Sequence, residues 1–422
     1  MDANQPLESA PLVNSATNPL TIEGLTANTV TFTGGAAGDS LYLRVNADRL
    51  EYSTDNTNYS SVDAIFTFSS QTQINVNLLA GDDSLFLDAS LIQILQTTGG
   101  QLSFAGGADA DTIFGPGGVN VNWNITGTNA GNITDIFEFT ETENITGRGN
   151  DTLTGLNQAN LWTITGNGTG TLNDQISFND IDNLIGGSLQ DTFAINGATT
   201  VNINAGAGAD IFELSNGSTL SGTIDGGTGI DTLNYSADTT AQQVTLTGLG
   251  SSDGFAGTSN LTQQFTNIDN VIGGSGNNTL TGLNASATWE IDGTNRYIST
   301  NNLSFTGFSN LTGGSNADTF IITGNQTADL RGQAGADRFQ FNNAANLTGT
   351  IDGGTDSDTI DASAYTTAQQ VNLTGLGSSD GFAGTSNLTQ QFTNIDNVIG
   401  GTSPQSPIPQ SLPNLQTLLK MI

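Results

Sequence analysis

Thr240–Gly274 reads TAQQVTLTGLGSSDGFAGTSNLTQQFTNIDNVIGG, and the same 35 residues return at Thr367–Gly401 with one difference, Thr245 against Asn372. A shift of 127 residues also carries Trp162 onto Trp289, Asp191 onto Asp318 and the TIDGG at Thr223 onto the TIDGG at Thr350, so the match runs from Asn150 to Gly401. A period this long fits either two copies of a globular domain or two blocks of a finer repeat. Only the finer repeat predicts self-similarity inside each block.

That self-similarity is present. A Gly-rich turn, an acidic or amide residue, usually Thr or Ser, and then an apolar residue recur at Asp39, Asp83, Asp111, Asp151, Asp191, Asp210, Asp231, Asn278, Asp318, Asp337 and Asp358. The spacings are 44, 28, 40, 40, 19, 21, 47, 40, 19 and 21, most of them close to one or two times 20. A second motif, Phe followed five residues on by Asn and an apolar residue, begins at Phe139, Phe178, Phe265, Phe305 and Phe392 and keeps the same register. Around the turns the apolar residues alternate, as at Val30 and Phe32 or at Leu41, Leu43 and Val45. Period-two patterning of this kind is that of strands, and helical signal is nearly absent.

A turn every 20 or so residues predicts one coil per repeat, each strand stacking on its equivalent in the next coil. The expected fold is all-β, a right-handed parallel β-solenoid (β-helix) with coils of about 20 residues. Its inward ladders are expected to be Leu153, Phe193, Phe212 and Leu233 in the first block and Leu280, Phe320, Phe339 and Ile360 in the second. The interval from Asp231 to Asn278 leaves room for a loop at GLGSSDGFAGTSN. The rival architecture, a string of β-sandwich domains of one block each, would not need the 20 and 40 registers inside a copy.

Proline marks the boundaries because it cannot donate to a strand ladder. Three of the eight prolines lie at or before Pro19, four lie in Pro404–Pro413, and only Pro116 falls between. The expected organisation is a flexible leader at 1–19, a degenerate solenoid at 20–149, solenoid blocks at 150–276 and 277–403, and a Pro-rich tail at 404–422. Residues 1–19 lack the basic and apolar regions of a secretory signal peptide.

Forty acidic and seven basic side chains give a formal charge of −33, with no His and no Cys. Binding phosphate backbones needs clustered Lys and Arg, and none occurs between Arg148 and Arg296, so nucleic acid and anionic membranes are excluded as partners. No apolar stretch is long enough to insert in a membrane as a helix. Without thiolate or imidazole, Cys nucleophiles, Ser/His/Asp triads and structural zinc are excluded, and hard, oxygen-ligated cations remain. A polysaccharide lyase would need a basic cluster that this chain lacks. A glycosidase needs only paired carboxylates, which forty acids always offer.

The turns GGADADTIF at Gly106, GRGNDTLTG at Gly147, GAGADIFEL at Gly206, GGTGIDTLN at Gly226 and GGTDSDTID at Gly353 resemble the GGxGxDxUx nonapeptide of hemolysin-type (RTX) calcium-binding proteins. The array is similar to the degenerate repeat regions of large bacterial adhesins. The resemblance implies calcium held in the turns of a parallel β-roll and secretion without an N-terminal signal peptide. Here the turns come singly, not nine residues apart, and Asn278 replaces the ligand. Asp191, Asp210 and Asp231 are expected to stack in successive coils, as are Asp318, Asp337 and Asp358, and these six are the candidate calcium ligands. The other reading makes each Asp a cap on the backbone N–H groups of its own turn. Asp225 and Asp352, in the TIDGG turns, read as caps. Trp123, Trp162 and Trp289, each in a WxI pattern, read as core, with a sugar-stacking platform as the alternative.

The function expected on these grounds is a non-catalytic, extracellular or cell-surface structural and adhesive solenoid, a stalk or fibre subunit, with head-to-tail self-association into filaments and a cell-surface or carbohydrate partner as its contacts. The alternative is a calcium-dependent RTX-like binding module, and behind it a carbohydrate-active β-helix enzyme.

Overall fold

The computed structural model describes residues 20–402, in two compact units, Met1–Gly208 and Ala209–Ile422. The expected leader at 1–19 and the tail at 404–422 lie outside the described residues. In both units the chain is a parallel β-solenoid whose coils pass through two facing sheets.

In the first unit one sheet stacks Val30 on Ile74, Ile74 on Leu102 and Leu102 on Phe137. The other stacks Leu41, Leu85, Ile113, Ile145 and Phe178. In the second unit Leu280, Leu311, Leu330, Ile351 and Phe392 form one ladder and Phe320, Phe339, Ile360 and Val398 the other. Nearly all these side chains are buried, because alternation in a strand sends every second residue inward. Rings stack along a ladder: Phe320 and Phe339 lie 5.1 Å apart at 11° and Trp289 and Phe320 5.6 Å apart at 8°. The rings of Phe32 and Tyr52, on opposite sheets, meet edge to face at 5.5 Å.

The apolar residues after the turns do point inward, but they divide between the sheets. Leu153 stacks between Trp123 and Leu184, whereas Phe193 stacks on Trp162 in the other sheet. Leu280 likewise belongs to a different sheet from Phe320, Phe339 and Ile360.

Coils of 19 and 21 residues link Phe320, Phe339 and Ile360. Other coils are enlarged because one strand is replaced by a three-stranded antiparallel meander lying in the sheet. In the first unit the meanders are Ser40–Asn46, Arg49–Ser53 and Ser60–Ser61; Asn122–Gly127, Ala130–Ile133 and Phe137–Thr140; and Leu161–Gly166, Thr169–Leu172 and Ile176–Asn179. In the second unit they are Gln243–Leu249, Phe255–Ser259 and Thr262–Ile268; Thr288–Ile291, Arg296–Ile298 and Asn302–Thr306; and Val371–Leu376, Phe382–Ser386 and Thr389–Ile395. Within each unit, successive meanders fall in alternate sheets. The recurring Phe of the second motif sits in the returning strand. Phe265 and Phe392 lie across Gly257 and Gly384, where a Cβ would come within 2.4 Å of the ring. The expected GLGSSDGFAGTSN loop is therefore the tip and second strand of a hairpin.

Among the described residues one helix occurs, Ala89–Thr98. Asp88 caps it by accepting the Ser90 N–H at 2.9 Å, Gly99 ends it at φ 78°, and Leu91, Ile92 and Leu95 are its buried face.

Candidate cation centres of the turn aspartates

A β-solenoid turn leaves the first N–H of each strand without a ladder partner, and in this chain aspartate supplies it. Asp337 Oδ1 accepts the Asp318 N–H at 2.7 Å, Asp358 Oδ1 the Asp337 N–H at 2.8 Å, and Asp396 Oδ2 the Asp358 N–H at 3.0 Å. Asp231 Oδ1 accepts the Asp210 N–H at 2.8 Å, and Asp269 Oδ2 the Asp231 N–H at 3.1 Å. In the first unit Asp83 and Asp111 serve the N–H groups of Asp39 and Asp83 in the same way. The turn aspartates do cap, but they reach the neighbouring coil as well as their own turn.

The second carboxylate oxygen separates two classes. Asp191 takes the Asn160 N–H at 2.7 Å and the Gly187 N–H at 2.6 Å, and Asp318 takes those of Ala287 and Gly314 at 2.8 Å each, so both oxygens are engaged. In Asp83, Asp111, Asp231, Asp337 and Asp358 the inner oxygen is buried and no protein donor reaches it. A buried charged acceptor left without a donor is costly. Burial, followed by neighbouring carboxylates, pushes Asp231 and Asp358 up to about 7 and Asp337 up to about 8.

At two of these positions the aspartate lies among further carboxylates. Oxygens of Asp231, Asp253 and Asp269 lie within 4.8 Å of one another, and so do those of Asp358, Asp380 and Asp396, the same three positions one block later. Asp253 and Asp380 come from the hairpin tips and each also holds a buried oxygen with no donor. Three ionised carboxylates at that separation repel by at least about 3 kcal/mol per pair at an effective dielectric of about 20. The repulsion is relieved by a proton or by a bound cation.

The tips are held in place by an asparagine with positive φ. Asn267, φ 56°, accepts the Ser252 N–H at 2.9 Å and donates through Nδ2 to Asp225 Oδ1 at 2.6 Å. Asp225 Oδ1 also accepts the Gly227 N–H at 3.0 Å, so the TIDGG aspartate is a cap, as expected. Asn394 binds Ser379 N–H and Asp352 in the same way. Beside each triad is a cradle that only glycine permits. A Cβ on Gly226 would meet the Asn267 carbonyl at 2.1 Å and Asp231 Oδ2 at 2.7 Å, and one on Gly353 the Asn394 carbonyl at 2.0 Å and Asp358 Oδ2 at 2.5 Å. Three carboxylates, orphan oxygens and an adjacent carbonyl, with no nitrogen or sulfur donor, are the donor set of calcium.

Of the six expected ligands, Asp231 and Asp358 are in triads, Asp337 keeps an orphan oxygen outside them, Asp191 and Asp318 are caps, and Asp210 is a buried member of the ladder. Sequence reasoning missed Asp253, Asp269, Asp380 and Asp396. Their signal was present in the doubled stretch itself, whose SSDG and NIDN acids recur in both copies. Trp123, Trp162 and Trp289 are fully buried, which makes them core and not a sugar platform.

Residues 215–350 match the family described as Peptidase M10 serralysin C terminal. This stretch holds the first triad and the turns at Asp231, Asp318 and Asp337, and the match agrees with the RTX-type character of the repeats. It concerns the C-terminal part of that peptidase family, not a catalytic domain. No curated protein matches the chain.

Proposed function

We propose that this chain is a non-catalytic β-solenoid module of a secreted or cell-surface protein, structural and adhesive in role, whose turns are completed by calcium. The observation that carries the reading is the pair of triads, Asp231, Asp253 and Asp269 and Asp358, Asp380 and Asp396, in each of which two aspartates hold a buried oxygen that no protein donor reaches. When bound, the ion supplies the positive charge that three converging carboxylates lack. The chain's own residues do the rest. Asn267 and Asn394 bring the hairpin tips to the turns, and the tips carry Asp253 and Asp380. Calcium therefore orders the loops at GLGSSDGFAG, which become the surface offered to a partner.

Secretion is supported by the RTX-type match, and repeat blocks that lengthen a solenoid without altering a site suit a stalk. No helix among the described residues is long and apolar enough to cross a membrane. The test is thermal unfolding followed by circular dichroism in EDTA, in millimolar calcium, and in magnesium at matched ionic strength. The proposal expects a rise specific to calcium. Equal melting in all three makes the aspartates turn caps in a metal-independent rod.

A further inference from the structure

Each meander adds two rows to one sheet and none to the other. In the second unit, Gln243–Leu249 and its two partner strands raise the first sheet above the strand Asn270–Ile272. The meander Thr288–Ile291, Arg296–Ile298 and Asn302–Thr306 then raises the second sheet by the same two rows, with Phe305 on Val271 and Trp289 beneath Phe320. The sheets are level again for the short coils that follow. The meander Val371–Leu376, Phe382–Ser386 and Thr389–Ile395 raises the first sheet once more, and among the described residues no second-sheet meander follows it. Nor does any strand pair with the far edge of Val371–Leu376 or of Asn397–Ile399 among those residues. Among the described residues the last rows therefore form a step two strands high.

The near-identical sequence one block earlier shows what the step lacks. Val244, Phe255 and Val271 are fully buried, with Tyr297 of the levelling meander against Phe255 at 5.6 Å. Val371, Phe382 and Val398, the same residues 127 positions on, are only partly buried, and Leu376 is 78% exposed against 44% for Leu249. The side chains match, so the difference is the missing cover.

We propose that a second copy of this chain supplies that cover, in a closed two-fold dimer. The projecting pair Val371–Leu376 and Phe382–Ser386 of each copy fills the two missing rows of the other, and Val371–Leu376 pairs with Asn397–Ile399 of its mate. Three observations single out this occupant. The step is self-complementary, since the rows that project equal the rows that are absent, and a two-fold axis along the strands sets one into the other. Polarity agrees: a coil runs one way through one sheet and back through the other, so this axis brings Val371–Leu376 against Asn397–Ile399 antiparallel, a regular ladder. The three strands concerned carry no charged residue in a chain of net charge −33.

The first strands of the described residues do not fit the step. There Thr21–Glu23 adds one row beyond Thr29–Thr33, and Arg49–Ser53 with Ser60–Ser61 adds two beyond Ser40–Asn46, a difference of one strand. The contact is thus isologous and closes at two copies, where a head-to-tail contact would run on into a filament.

Sedimentation velocity of the full chain, across protein concentration at 0.15 M salt with and without calcium, tests this. The expected species has the mass of two 43.4-kDa chains. Leu373→Lys, at a half-exposed edge position, should raise the dimer dissociation constant at least tenfold with an unchanged melting profile at dilution. Ser60→Pro, in the other unit, should leave the dimer intact. A full chain that stays monomeric while truncation after Thr402 makes it dimerise would assign the step to the chain's own tail and overturn the proposal. So would a monomer in both forms, a dimer indifferent to Leu373→Lys, or growth into larger species that Ser60→Pro abolishes.

Discussion

Phe339 lies in the middle of the most regular part of the solenoid, and replacing it by alanine measures what the inward ladder contributes. The residue is fully buried in Arg338–Phe341, its ring is stacked on Phe320 at 5.1 Å, and its strand pairs on the other side with Thr359–Asp361, which brings Ile360 above it. The rows above and below are fixed at strand spacing by backbone hydrogen bonds, so the surroundings cannot collapse into the space. Phe339→Ala should therefore fall in the range of about 3–5 kcal/mol found for buried Phe to Ala changes. In a unit of this size that is a drop in Tm of roughly 6–20 °C. The assay is urea unfolding with calcium held constant, reading the midpoint at unchanged slope. Leu189→Ala, 54% exposed in the other unit, is the control and should stay within about 0.5 kcal/mol. A loss below about 1 kcal/mol for Phe339→Ala would mean that the ring does not sit between stacked rows, and the solenoid register would be wrong.

Three further outcomes are expected. The cation-free protein should be more stable in mild acid: Asp83, Asp231 and Asp358 are raised to about 7 and Asp337 to about 8 by burial, so the folded state holds these protons more tightly than the unfolded chain. That contribution is full below about pH 4, the unfolded aspartate value, and is lost as pH rises through 7 to 8; melting in EDTA at pH 5 and pH 8.5 checks it, and calcium should flatten the slope by replacing the proton. Gly353→Ala should weaken both fold and calcium response by more than about 1 kcal/mol, since its Cβ would lie 2.0 Å from the Asn394 carbonyl, as thermal melts with and without calcium would show. Asn267→Ala should leave the core intact yet release the Asp253 tip, seen as faster proteolysis within Leu249–Phe255 and a weaker calcium response at the first triad alone.

The architecture was legible because its determinants are local and repeated. Turn aspartates at 19 and 21 residues fixed the short coils around Phe320, Phe339 and Ile360, and the exclusion of proline marked the regular region. The division of the ladders between two sheets was not legible. Asp151 and Asp191 read alike as turn, Asp, Thr and apolar residue, yet Asp151 opens a strand of one sheet and Asp191 a strand of the other. Spacings of 40 were read as two plain coils. They arise instead where an antiparallel meander shares the coil, a pairing that depends on contacts such as Gly257 against Phe265. The helix Ala89–Thr98 was missed because ten residues carry too little periodicity to stand out. For the candidate centres, the sequence pointed to the turn acids Asp231 and Asp358. The partners Asp253, Asp269, Asp380 and Asp396 come from a hairpin tip and the residue after the return strand, which only the folded meander brings to the turn.

Two equivalent carboxylate centres, one block apart, are each expected to hold a calcium ion. Calorimetric titration of the cation-free chain with calcium, compared across Asp253→Asn, Asp380→Asn and the double variant, tests it most directly. The account predicts that each single substitution removes one binding event and that the double removes two, with the folded baseline of each variant preserved in acid. An unchanged stoichiometry in the double variant, or no calcium binding by the parent chain, would contradict it.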